Sequence, residues 1–261
     1  MRARGIRHAC STFTVMAELV RGTTEIETEH ITIRGASAPR VDAIHSRPTG
    51  MPIRGIVLLP DIFGLRPLFE DLAERLASHG AAVIAIEPFA STPAGEREAM
   101  TFEERATRIS HLDDEELMGD LESAATFLIT EDDVAEVAVL GFCYGGHQAF
   151  KAAATDDFDR AVAFYGMVHA PEHWQGPTRT DPMAAIGDVC PTLAIFGDHD
   201  TFVPNEHVEE LRSAWSGRND CQIQVYPGAE HGFIHDPARP AHLPEDAADA
   251  WSKVLAFLGL P

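Results

Sequence analysis

The stretch VAVLGFCYGG, residues 137–146, decides the fold of this chain. Its first four residues form a short apolar run, which is typical of a strand buried on both faces. Gly141 and Gly145 then flank Cys143 at the spacing of a nucleophile on a sharp strand-to-helix turn, with Cys where Ser is more usual. The free N–H groups at the start of the following helix favour a thiolate. The stretch therefore predicts a nucleophilic cysteine at the carboxyl end of a buried strand.

Strand-like and helix-like segments alternate along the rest of the chain. The predicted strands are residues 55–59, 81–86, 137–140, 160–165, 192–196 and 222–226, preceded by a hairpin of 27–34 and 40–45. The predicted helices are residues 67–79, 114–129, 144–154, 206–216 and 245–258, and the polar stretch between 86 and 114 is assigned neither element. This alternation predicts an α/β fold with a mostly parallel central sheet of about eight strands and helices on both faces.

Length and composition indicate one soluble globular domain. The chain has 261 residues, of which 45% are hydrophobic and 23% charged. We expect residues 1–20 to be a flexible extension and residues 21–261 to form a single domain. No apolar run is long enough to predict a membrane-spanning helix, so we expect no membrane partner and a cytoplasmic location.

Charge and cysteine spacing narrow the possible partners. The formal net charge of −21 repels phosphate backbones, which argues against nucleic-acid binding. The four cysteines (Cys10, Cys143, Cys190 and Cys221) are widely spaced and form no C-x-x-C pair, so we expect no metal site. We expect a small molecule as the binding partner, and a monomer or a homodimer as the assembly.

Two further strand ends carry an acid and a base that could serve Cys143. Asp198 and Asp200 follow the strand 192–196, and His231 follows the strand 222–226. The carboxyl ends of parallel strands meet at one edge of a sheet, where such folds place their chemistry. A nucleophile activated by a histidine that an acid orients is the arrangement of a hydrolytic triad, here in the chain order nucleophile, acid, histidine.

The loop after the strand 55–59 predicts the remaining part of such a site. An early loop of this kind supplies one backbone N–H that binds the oxyanion of the reaction, and the residue after the nucleophile supplies the other. Those donors would be the backbone N–H groups of Ile62 and Tyr144.

Four segments make the chain resemble the dienelactone hydrolase (carboxymethylenebutenolidase-like) family: LPDIFGL (59–65), GFCYGG (141–146), FGDHDTFVP (196–204) and AEHGF (229–233). The resemblance covers residues from about 25 to 260. It implies an α/β-hydrolase fold, no cofactor, and a Cys143-His231-Asp200 triad that cleaves lactones and activated esters. It also assigns the acid to Asp200 rather than Asp198, from its distance to Val203-Pro204.

The chain departs from the pattern of this family at substrate-facing positions. Asp61 stands where the family has a Glu that contacts and activates the thiol, and His235 stands where the dienelactone enzyme has an Arg that holds the substrate carboxylate. Arg105 and Arg108 are candidates for a second carboxylate-binding Arg, and Trp174 for a residue that lines the pocket. Because His235 is mostly neutral at pH 7, we expect neutral esters to be processed better than carboxylate analogues.

Two alternatives from other functional classes stay open. A class I glutamine amidotransferase also uses Gly-x-Cys-Tyr-Gly, and His207-Val208-Glu209 resembles its His-x-Glu; however, His207 falls on a predicted helix rather than at a strand end. The other alternative is a hydrolase-fold protein that binds a ligand without turnover, suggested by Asp61 and His235.

Overall fold

The predicted strands form one sheet in the computed structural model, which describes residues 19–261. In chain order they are β1 (Ile26–Ile33), β2 (Val41–Pro48), β3 (Arg54–Leu59), β4 (Ala81–Ile86), β5 (Val137–Phe142), β6 (Arg160–Phe164), β7 (Thr192–Gly197) and β8 (Gln222–Tyr226). Their spatial order is β1-β2-β4-β3-β5-β6-β7-β8. Residues 1–18 of the predicted extension lie outside the described residues.

The sheet is parallel except at one edge. β1 and β2 form the predicted antiparallel hairpin, and β2 also pairs with β4 in antiparallel fashion. All pairs from β4 through β3 to β8 are parallel. Every residue of β3, β4, β5 and β7 is buried, which explains why these segments are continuous apolar runs. The predicted α/β class and mostly parallel sheet are confirmed.

Helices cover both faces of the sheet. They are α1 (Pro67–Ser78), α2 (Ala94–Ala99), α3 (Phe102–Ile109), α4 (Asp114–Glu131), α5 (Tyr144–Ala152), α6 (Asn205–Ala214) and α7 (Pro244–Leu258). Apolar side chains of α1 and α7, such as Leu72 and Trp251, belong to the core on one face. Those of α4, α5 and α6, such as Leu121, Phe150 and Leu211, belong to the core on the other.

The sequence analysis missed α2 and α3. No residue of α2 is buried, so its sequence has no apolar stripe from which a helix could be predicted. α3 begins at a capping box in which the Thr101 side chain accepts from the Glu104 N–H and the Glu104 side chain accepts from the Thr101 N–H. That Thr-x-x-Glu signal was present in the sequence. No helix within residues 19–261 is long and apolar enough to span a membrane.

Candidate active site

Cys143 occupies the strained turn between β5 and α5. Its φ of 55° and ψ of −112° lie in a region that residues other than glycine rarely adopt. The turn is closely packed: a Cβ on Gly141 would lie 2.1 Å from the carbonyl oxygen of Gly145, and one on Gly145 would lie 2.3 Å from that of Leu59. The glycines that flank Cys143 are therefore required by close approach of the backbone.

Asp200 is the carboxylate that contacts His231. Its Oδ2 lies 2.7 Å from His231 Nδ1, and its side chain is fully buried. Asp200 Oδ1 accepts hydrogen bonds from the backbone N–H groups of Phe202 and Val203, at 2.8 and 3.2 Å, which fix the carboxylate. Asp198 instead accepts from the Gly228 N–H at 2.5 Å, so it links the loops that follow β7 and β8 and forms no hydrogen bond with His231.

His231 and Cys143 line one cavity and interact electrostatically. Burial lowers the pKa of His231, but the Cys143 sulfur and the Asp200 carboxylate raise it more, to about 10. An imidazole with this pKa is protonated at neutral pH. Because Asp200 contacts Nδ1, Nε2 is the ring nitrogen of His231 that is available for proton transfer on the Cys143 side.

The two predicted oxyanion donors belong to residues close to Cys143. Ile62 lines the cavity with Cys143, and Tyr144 is the first residue of α5. Within residues 19–261, neither backbone N–H has a hydrogen-bond acceptor. The Tyr144 ring is buried against Phe89 and Trp174, with ring centroids 5.6 and 5.4 Å away, and it does not line the cavity.

Asp61 lines the cavity, whereas His235 is buried beneath it. Asp61 Oδ1 and Oδ2 accept from Arg66 at 2.6 and 2.7 Å, and Oδ2 also accepts from His235 Nε2 at 3.0 Å. The other ring nitrogen of His235 accepts from the Tyr165 hydroxyl. His235 is 1% exposed, so the structure does not offer it to substrate as the sequence position suggested.

The two arginines proposed from sequence do not line the Cys143 cavity. Arg105 lies over the Phe89 ring, donates to the carbonyl oxygen of Arg97 and lines a neighbouring cleft. Arg108 forms an ion pair with Glu96 at 2.8 Å and lies away from the cavity. Neither arginine is brought beside Cys143, and a role for either one in binding a substrate carboxylate stays a prediction.

Arg239 also lines the Cys143 cavity, and the sequence analysis did not consider it. Its guanidinium lies against the backbone of Gly232, where an added Cβ would be 2.3 Å from Nη1. Gly232 has a φ of 78°, a backbone conformation that favours glycine. Among the described residues, no carboxylate forms an ion pair with Arg239.

The remaining walls of the cavity are apolar and aromatic. Trp174 lines it as predicted, together with His173 from the same loop. Phe63, Phe102 and Phe202 also line the cavity and are 45%, 43% and 55% exposed. Phe202 lies against His231, with ring centroids 4.8 Å apart. The opening is therefore an aromatic rim, here defined as Phe63, Phe102 and Phe202.

The histidine on which the amidotransferase alternative depends is elsewhere. His207 lies on α6 and contacts His169, with ring centroids 4.7 Å apart, and it does not line the Cys143 cavity. Within the described chain, no group of three or more His, Cys, Asp or Glu side chains is arranged to hold a metal ion.

Comparison with known proteins identifies the relatives of this chain. The sequence profile of the dienelactone hydrolase family matches residues 41–260. A Yersinia pestis protein named as a carboxymethylenebutenolidase is 31% identical over 226 residues, which cover 85% of this chain and 83% of that protein. A Bradyrhizobium protein named as a 2-oxo-3-(5-oxofuran-2-ylidene)propanoate lactonase is 27% identical and covers 78% of this chain and 82% of its own length.

Solved structures give the same result at the level of the fold. A crystal structure from Klebsiella pneumoniae, described as that of a dienelactone hydrolase, superposes with a TM-score of 0.80 at 27% sequence identity. The match covers 90% of this chain and 99% of that one. An acylaminoacyl peptidase of Pyrococcus horikoshii superposes with a TM-score of 0.69 at 14% identity, which shows a shared fold.

Proposed function

Since the chain belongs to the dienelactone hydrolase family and is a hydrolase of lactone or ester bonds, we propose that Cys143, His231 and Asp200 form its catalytic triad. The observation that carries this proposal is the 2.7 Å contact between Asp200 and a His231 that shares its cavity with Cys143. The raised pKa of His231 supports an imidazolium that can protonate the leaving group. No cofactor is required for this chemistry.

The first half of the reaction transfers the acyl group to sulfur. The Cys143 thiolate attacks the carbonyl carbon, and the negative charge moves to the carbonyl oxygen, which accepts hydrogen bonds from the Ile62 and Tyr144 N–H groups. The tetrahedral intermediate collapses and the carbon–oxygen bond to the leaving group breaks. The His231 imidazolium donates its Nε2 proton to the leaving oxygen, which gives an alcohol and a thioester.

The second half returns the enzyme to its starting state. Neutral His231 takes a proton from water as the water oxygen attacks the thioester carbonyl. Collapse of the second tetrahedral intermediate breaks the carbon–sulfur bond and regenerates the thiolate beside the imidazolium. For a lactone, the alcohol and the acid are parts of one hydroxy-acid product.

Arg239 supports a substrate that carries an anionic group. A carboxylate is the natural partner of a guanidinium, which can bind it through two parallel hydrogen bonds. The Bradyrhizobium relative is named for a propanoate lactone, which is a lactone with a carboxylate. This proposal replaces the expectation of a neutral substrate, because that expectation rested on a mostly neutral His235 and did not consider Arg239.

The test is a panel of p-nitrophenyl esters, lactones and thioesters assayed with the wild type and Cys143→Ala. We expect the wild type to hydrolyse esters or lactones and Cys143→Ala to lose at least about 10³-fold in kcat/KM, the scale for loss of a triad member. Cys190→Ala is the matched control and should retain activity, because Cys190 lies outside the cavity. Wild-type turnover that survives in Cys143→Ala would remove Cys143 as the nucleophile.

A further inference from the structure

A buried hydrogen-bonded chain leads from Tyr165 to Asp61; the Tyr165 ring packs against His231, but among the described residues this chain shares no hydrogen bond with the proposed triad. The Tyr165 hydroxyl donates to His235 Nδ1, and His235 Nε2–H donates to Asp61 Oδ2 at 3.0 Å. Burial lowers the pKa of His235, so the ring is neutral and carries a single proton. That proton is on Nε2, because Asp61 can only accept there.

Asp61 has no acceptor position left for the thiol. A carboxylate offers about four lone-pair sites. Oδ1 accepts from the Phe63 N–H at 3.0 Å and from Arg66, and Oδ2 accepts from Arg66 and His235. Burial raises the pKa of Asp61, but hydrogen bonds from His235 and Arg66 lower it more, to well below its ordinary value. Asp61 is therefore a fixed carboxylate with its hydrogen-bonding capacity used inside the protein.

The bonds of Asp61 set the orientation of the Ile62 N–H. Its side chain accepts from the Phe63 N–H, and its carbonyl oxygen accepts from the Gly64 N–H at 3.0 Å. The Asp61 carbonyl and the Ile62 N–H belong to one trans peptide plane and point in opposite directions. Holding the carbonyl toward Gly64 thus holds the Ile62 N–H on the other side of the loop, free of any acceptor within residues 19–261.

We propose that His235 and Tyr165 are positioning residues that act through Asp61 to hold the Ile62 N–H in place for the oxyanion, and that they neither activate Cys143 nor bind substrate. The inference rests on the proposed function, since it needs an ester reaction that develops an oxyanion. It assigns a role to His235 that its sequence position did not suggest. It also gives Asp61 a role other than the thiol activation implied by the resemblance.

Two reactions of Cys143 separate positioning of the oxyanion donor from activation of the thiol. Ester hydrolysis needs both the thiolate and the oxyanion donors. Alkylation by iodoacetamide needs the thiolate but forms no oxyanion. The quantity to measure is the ratio of kcat/KM for a p-nitrophenyl ester to the second-order rate constant for alkylation of Cys143.

Two substitutions at His235 differ in whether they keep the donor to Asp61. His235→Gln places an amide N–H near the position of Nε2, whereas His235→Asn replaces only the Nδ1 side of the ring. We expect His235→Asn to lower the ratio by roughly 10-fold or more, toward the ~10²–10³ that loss of one oxyanion donor costs, while alkylation changes by less than about 2-fold. His235→Gln should restore most of the ratio, and Tyr165→Phe should lower it by a smaller factor.

His45→Leu is the matched control. His45 is also 1% exposed and contacts a carboxylate, Asp132, at 2.8 Å, but it lies on β2 away from the cavity. The His45→Leu variant should leave the ratio of ester hydrolysis to alkylation unchanged even if the protein becomes less stable. Should His235→Asn not fold, Tyr165→Phe decides, because it removes only a hydroxyl.

Three results have distinct meanings. Parallel losses of ester hydrolysis and alkylation would overturn the inference and return a thiol-activating role to Asp61. An unchanged ratio in both His235→Asn and Tyr165→Phe would also overturn it. A wild type that alkylates at Cys143 but hydrolyses no ester or lactone would instead refute the proposed function.

Discussion

Replacing Arg239 should change the preference between carboxylate and neutral substrates more than it changes the rate at which a neutral substrate is hydrolysed. Arg239→Met keeps an unbranched apolar stem and removes the charge that lies against Gly232 in the cavity. The substrates are an ester that carries a carboxylate and the methyl ester of that same carboxylate. Only the first can form a charge-assisted hydrogen bond with the guanidinium.

The magnitude follows from the absence of a competing acid. Among the described residues no carboxylate pairs with Arg239, so a substrate carboxylate displaces only water. A hydrogen bond to a charged group contributes about 1.5–3 kcal/mol. At about 1.4 kcal/mol per factor of ten, this is a loss of roughly 10- to 150-fold in kcat/KM for the acid relative to the methyl ester.

The assay is kcat/KM for the matched pair in the wild type, Arg239→Met and Arg108→Met. Arg108 forms an ion pair with Glu96 outside the cavity, so its loss removes one positive charge from the same chain without touching the site. The acid-to-ester ratio should fall in Arg239→Met alone. An unchanged ratio, or an equal fall in Arg108→Met, would refute the role of Arg239.

Three further predictions follow from contacts at the site. Asp200→Asn should lower kcat by about 10³–10⁴-fold, because Asp200 holds His231. Asp198→Asn should lower kcat far less, and a larger loss of kcat from Asp198→Asn would overturn the choice of acid. Phe202→Ala should lower kcat/KM for esters with an aromatic leaving group by roughly 5-fold, which corresponds to about 1 kcal/mol of apolar contact. Ile129→Ala, on the surface of α4, is the control and should have no effect. Equal losses in the two variants would show that the rim does not contact substrate. At pH 7 iodoacetamide should leave Cys190 unlabelled, because burial raises its pKa to about 11, and peptide mapping that finds Cys190 modified first would contradict this.

The parts of the site that follow strands were predictable from sequence. Cys143, Asp200 and His231 each stand in the turn or loop that follows a strand, and parallel strands bring those positions to one edge of the sheet. The choice between Asp198 and Asp200 needed the resemblance, since both follow the same strand. The structure brings Asp200, and not Asp198, to His231.

The loops were predicted less well because their positions depend on tertiary contacts. His235 has the spacing of a substrate ligand, but Phe69, Phe142 and Tyr165 pack around it and bury it. Arg239 lies farther along the same loop, and nothing in its spacing indicates that the loop turns back to Cys143. The one local signal was Gly232, whose φ of 78° belongs to a turn of this loop.

Charged residues near a site in sequence can also lie outside it. Arg105 and Arg108 were candidates because they precede the Cys143 turn in the chain. They fall on α3, a helix whose first residue, Phe102, reaches the cavity while both arginines do not. The capping box at Thr101 could have located the helix, but not the direction of each side chain.

The central claim is that Cys143 carries the acyl group during turnover. The most direct measurement is the mass of the peptide that contains Cys143 after the enzyme is quenched in acid during hydrolysis of a slow ester. The account predicts that this peptide gains the mass of the acyl group and that the gain disappears in Cys143→Ala. An acyl group found on another residue would contradict this claim. So would a Cys143 peptide that stays unmodified although the enzyme shows a pre-steady-state burst of product.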